Sequence, residues 1–127
     1  MTLSVVSQSI LFKDLPHHHQ QALMAIAVEK PMGKNELIFS EGDEGTGFYI
    51  VVEGQIKIYK ISLEGKEQIL HIFGPGEPFG EVPVFSGDVF PASAEAVRQS
   101  RVLYFPRDRF IRLITTDPTL ALNMLAF

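Results

Sequence analysis

The segment Gly74-Pro75-Gly76-Glu77-Pro78-Phe79-Gly80-Glu81-Val82, with Pro91-Ala92-Ser93-Ala94 following, carries the residues best suited to holding a ligand. Backbone N–H groups in a Gly-containing turn can form a concave nest for an anion. A carboxylate such as Glu81 can accept from a ribose hydroxyl, and a hydroxyl such as Ser93 can donate to a phosphate oxygen. The same residues also suit a long barrel loop with ordinary turn chemistry. The chemistry alone leaves both readings open.

Histidines are the next candidates. His71 lies in an apolar run and shares a period-2 face with Ile69 and Phe73. Such a residue is either a satisfied core histidine or a ligand, since neutral imidazole binds haem iron. His17-His18-His19 resembles a metal tract, but successive helical positions point about 100° apart. The expectation there is a solvated helix start. Catalysis has little support. There is no HExxH, GxSxG or P-loop pattern, and no dinucleotide fingerprint. The absence of cysteine excludes disulfides, thiolate-bound zinc, cysteine-ligated iron–sulfur clusters and a thiol nucleophile.

These candidates must be positioned by short elements. Pro16 opens a helix through Val28, with Leu23, Ile26 and Ala27 on one face. Ile10, Leu11 and Phe12 form an apolar lead-in. Pro31 and Gly33 end the helical pattern. Strand-like runs follow at 36–39, 48–52, 55–61, 68–73, 93–97 and 101–105, separated by Gly-bearing turns. That spacing predicts an antiparallel sandwich or barrel. Phe110, Leu113 and Ile114 then mark a helix, and Asp117-Pro118 opens another carrying Leu120 and Met124. No basic or glycine stop signal closes this last helix before Leu125-Ala126-Phe127, so the chain is expected to be a fragment of a longer protein.

Composition bounds the function. The 127 residues hold 46% hydrophobic and 20% charged side chains, which suits one globular domain. The net charge of −4 is segregated: residues 1–35 carry +1, residues 36–95 carry −8 and residues 96–127 carry +3. An acidic middle repels phosphate backbones, so this segment is not expected to bind nucleic acid. No apolar run reaches membrane-spanning length, and no secretory signal opens the chain. The expected location is cytoplasmic, with no membrane partner.

Residues 10–127 resemble the cyclic-nucleotide-binding-type sensor domain of the bacterial Crp/Fnr transcription regulators. The resemblance rests on Leu11-Phe12-Lys13-Asp14-Leu15, Ile38-Phe39-Ser40-Glu41-Gly42-Asp43 and Phe48-Tyr49-Ile50-Val51-Val52-Glu53-Gly54. It continues through Gly74–Glu81 and Tyr104-Phe105-Pro106-Arg107-Asp108-Arg109-Phe110.

The resemblance implies a mainly β fold: an antiparallel β-roll, or jelly roll, with flanking N- and C-terminal helices. A single effector-sensing domain over 1–127 would divide into an N-terminal helical segment (1–30), the roll (31–106) and C-terminal helices (107–127). The last would begin a dimer helix through Leu120, Met124 and Phe127. The full-length protein would be a homodimer reading DNA through a C-terminal part that this chain lacks.

The implied effector site comprises Ile69, His71, Phe79, Gly80, Glu81, Val82, Pro91, Ala92 and Ser93. Gly80 and Glu81 match the family's ribose-binding positions. The family's phosphate-clamping arginine should fall near Phe90-Pro91, yet no Lys or Arg lies between Lys66 and Arg98. Losing a charge-assisted bond costs about 1.5–3 kcal/mol. Cyclic AMP binding is therefore expected to be weak or absent. The Phe90–Ala96 stretch looks more like members sensing other signals, including nitric-oxide- and haem-linked regulators. Haem is the candidate cofactor, with His71 as its ligand, and a small-molecule effector the expected partner. The alternatives are a stand-alone cyclic-nucleotide-binding regulatory module, which would need that arginine, and a cupin-type enzyme, which would need a metal set on facing strands.

Overall fold

The computed structural model describes Ser9, residues 11–81, Pro83 and residues 86–125, excluding the Leu125 side chain. Val82 and Phe127, named above, lie outside the described residues, as does Ile10. Helix α1 (His17–Ile26) follows Pro16. Eight strands come next: β1 (Val28–Met32), β2 (Leu37–Phe39), β3 (Gly47–Glu53), β4 (Ile56–Ile61), β5 (Glu67–Phe73), β6 (Pro78–Phe79), β7 (Ser93–Ala96) and β8 (Ser100–Pro106). Helices α2 (Arg107–Thr116) and α3 (Pro118–Leu125) follow.

The strands form two four-stranded sheets, ordered β1-β8-β3-β6 and β2-β7-β4-β5, with antiparallel pairing throughout. This is the expected mainly β roll with helices at both ends. Helix α1 stops earlier than its periodicity predicts. Val28 instead opens β1, whose residues pair with β8 from Val28–Tyr104 to Met32–Ser100. Non-local pairing overrides a weak local preference here. Glu29 binds Arg101, which also bonds Glu53 across β3 (2.7 Å). Pro31 in β1 and Pro78 in β6 are tolerated because both strands lie at sheet edges.

Strand β3 explains the layering. Its first six residues are all buried, and alternate side chains enter different interiors. Phe48, Ile50 and Val52 face a helical core with Phe12, Leu23, Leu103, Phe105, Phe110, Leu120 and Met124. Tyr49 and Val51 face the roll interior with Phe39, Ile56, Phe79, Phe90 and Val102. Phe48 is the hinge of the first core: it stacks on Phe105 (4.8 Å) and meets Phe110 edge-on (5.1 Å). The β3–β4 turn requires Gly54, whose φ is +94° and whose Cβ would strike Ser100.

The second sheet is less covered. All of β5 except Phe73 is exposed. Its pairing with β4 shifts between Ile58–His71 and Tyr59–Ile69, leaving Leu70 as an extra residue. Simple alternation therefore fails along this strand. Leu120 and Met124 are buried within this chain's own helical core. The stripe expected to face a dimer partner is thus occupied internally, because α3 packs on α2 and reaches α1 through Asn123 and His19.

Candidate functional site

A cavity of about 190 Å³ opens at the roll's end. Five residues expected at the effector site line it: Phe79, Gly80, Glu81, Pro91 and Ala92. Phe39, Phe73 and Phe90 complete most of its wall. The other described candidates lie elsewhere. Ser93 alternates outward from buried Ala94 and accepts a hydrogen bond from the Glu41 N–H (2.9 Å). Ile69 is 53% exposed. His71, expected on the cavity wall, instead lies on the exposed β5 edge, 3.9 Å from the Glu77 carboxylate. The β5 bulge and the lack of a covering layer are the physical reasons.

Phe90 precedes Pro91 in the stretch near which the resemblance expects a cation. Its ring stacks on Phe39 at 3.7 Å with planes 6° apart. Two backbone bonds pin it there: Phe90 N–H to Asp43 O and Gly42 N–H to Phe90 O, each 2.8 Å. Gly80 closes against this pair. Its φ is +74°, and an added Cβ would lie 3.2 Å from both rings. Below them Phe79 stacks on Tyr49 at 5.0 Å. Burial, with Tyr104 nearby, pushes the Tyr49 phenol well above its usual pKa, so it stays neutral.

The Gly74–Glu77 turn is not an open anion nest. Glu77 accepts from Gly74 N–H (2.9 Å), Gly76 N–H bonds Val51 O (2.8 Å), and Glu77 N–H bonds Gly74 O (3.1 Å). Gly76 N–H fastens the turn to β3, and the other two donors close the turn on itself. No described lining residue is cationic, while Glu81 is acidic. Lys57 is held at Glu67 (2.5 Å) and Glu95 (3.5 Å). The Glu67 hydrogen bond is the main reason its pKa stands above the ordinary lysine value.

A second site was not foreseen. His19 was expected in solvent but is 1% exposed. Its Nε2 lies 3.2 Å from Asp117 Oδ2, and its ring is 4.1 Å from that of His18. Asn123 Nδ2 stands 3.4 Å from Nδ1. One signal could have located it: His19 shares a helical face with Leu23 and Ile26 at i, i+4, i+7. His18, His19 and Asp117 form a ligand set of a kind that metal ions take.

An antiparallel roll with helices at both ends and a small, partly open cavity at one end is the architecture of a regulatory sensor domain. Residues 29–117 match the cyclic nucleotide-binding domain family, and the chain belongs to that family, as a sensor domain of the Crp/Fnr type. The Cyclic AMP receptor protein of Thermus thermophilus is 36% identical over 96 residues, which are 76% of this chain and 44% of that protein. The chain thus spans less than half of that relative's length. The N-terminal domain of a transcriptional regulator from Streptomyces coelicolor superposes with a TM-score of 0.87 at 27% identity, covering 95% of this chain and 86% of that one. The sensor domain of the transcriptional regulator DNR from Pseudomonas aeruginosa gives 0.83 at 28% identity, covering 98% and 84%. Among the described residues, no helix is long and apolar enough to cross a membrane.

Proposed function

We propose that residues 1–127 are the effector-sensing unit of a cytoplasmic, homodimeric transcription factor, and that its effector is a small, largely apolar molecule rather than a cyclic nucleotide. The carrying observation is Phe90, stacked on Phe39 beside Pro91, in the stretch where the resemblance expects a phosphate-clamping arginine. The cavity of about 190 Å³ is below the range of about 300–1,000 Å³ usual for ligand pockets. A cyclic phosphate there would meet Glu81 and no cation. Haem is also poorly served: its macrocycle exceeds the cavity, and His71 is on the outer strand. DNA would be read through a domain beyond this chain. The effector acts by binding one dimer arrangement better than another.

The 36% identity to a protein named as a cyclic AMP receptor favours a second reading, a cyclic-nucleotide-binding module. An apolar probe separates the two. Indole titrated into isotope-labelled protein should shift the amides of Phe79, Gly80, Phe90 and Ala92 together. Shifts scattered over the surface, with these four unmoved, would overturn the apolar-effector reading.

A further inference from the structure

We propose that His18, His19 and Asp117 form a binding site for a divalent transition-metal ion, of which Zn²⁺ is the representative. The ion would fasten the first turn of α1 to the α2–α3 junction. The three groups offer ligand atoms lying within 4.8 Å of one another. Tetrahedral zinc with bonds of about 2.0–2.2 Å needs its ligands roughly 3.3 Å apart. His19 Nε2 and Asp117 Oδ2, at 3.2 Å, already meet that spacing. His18 is exposed and adjacent, so its imidazole can close the remaining distance by rotating.

A second observation points to a ligand independently. His19 Nε2 is a buried atom with no hydrogen-bond partner among the described residues. It is close to the Asp117 carboxylate, yet the approach is not aligned as a hydrogen bond. An orphaned buried nitrogen is costly unless something else completes it. Asn123 supplies the orienting contact at Nδ1. If its amide turns over, its oxygen accepts from Nδ1–H, which leaves the Nε2 lone pair for the metal. Entry is open on one side, since the Asp117 side chain is 42% exposed.

Two imidazoles and one carboxylate suit zinc and its neighbours in the transition series, with a fourth position left for water. Calcium and magnesium would not choose this set. Helical geometry does not forbid it, because only two neighbouring histidines converge and the third ligand comes from another element.

The test is calorimetric titration of the 127-residue chain with ZnCl₂, alongside thermal unfolding. One ion per chain is expected, with a rise in Tm of several degrees at saturation. Asp117→Asn, which keeps the side chain's shape, should weaken binding at least tenfold. His19→Ala should abolish the site; if it does not fold, Asp117→Asn and His18→Ala carry the test. His17→Ala should leave binding unchanged. No heat at 100 μM Zn²⁺, or affinity retained in Asp117→Asn but lost in His17→Ala, would overturn the site.

Discussion

The two interiors on either side of β3 differ in what they bury. The helical core packs aliphatic and aromatic side chains against a polar corner at His19, Gln20 and Asn123. The roll interior buries Phe39, Tyr49, Phe79 and Phe90 among smaller aliphatic side chains, and Phe39, Phe73, Phe79 and Phe90 line its cavity. In the first, Phe48 is held by Phe12, Phe105 and Phe110 from three other parts of the chain. In the second, packing stops short at an open space beside Phe39, Phe79 and Phe90. The contrast assigns stability to one side of the strand and adaptability to the other, because a wall already bordering a cavity loses fewer contacts when it moves.

Phe48→Ala should break the helical core most severely. The ring contacts Phe12, Phe105 and Phe110, and its loss should cost about 3–5 kcal/mol. Urea unfolding would measure it. Phe90→Ala should cost less, about 2–3 kcal/mol by the same measure, because one side of the ring borders the cavity. Equal losses at both positions would erase the proposed contrast. Gly80→Ala should cost about 1–2 kcal/mol, combining a left-handed backbone with a tight Cβ against two rings. Arg101→Ala should have the smallest effect on urea unfolding, although it pairs with both Glu29 and Glu53. Both partner carboxylates are exposed, so solvent screens both pairs.

Much of this arrangement was legible in the sequence. Gly42, Gly54, Gly65 and Gly76 all take positive φ, matching the turns at which strand-like runs were divided. Two strands escaped notice for one reason. β1 and β6 contain proline and are defined by partners distant in the chain, so no local pattern announces them. Five candidate residues converge on the cavity because they flank turns that the topology brings together. His71 does not, since alternation implies a buried face only when a layer covers it. The burial of His19 was legible in its helical face with Leu23 and Ile26, but its partners were not. Asn123 lies 104 residues away, and only the fold-back of α3 makes them neighbours. The same fold-back places Leu120 and Met124 inside the chain rather than on a dimer face.

On the proposed function, aromatic packing stands in the roll where phosphate recognition would be needed. Calorimetric titration with cyclic AMP tests it most directly, because the nucleotide needs the charge that Phe90 denies it. No saturable binding is expected at affinities tighter than about 10 μM, which corresponds to roughly −7 kcal/mol. A dissociation constant below that value, with heat that disappears in a Glu81→Ala variant, would contradict it.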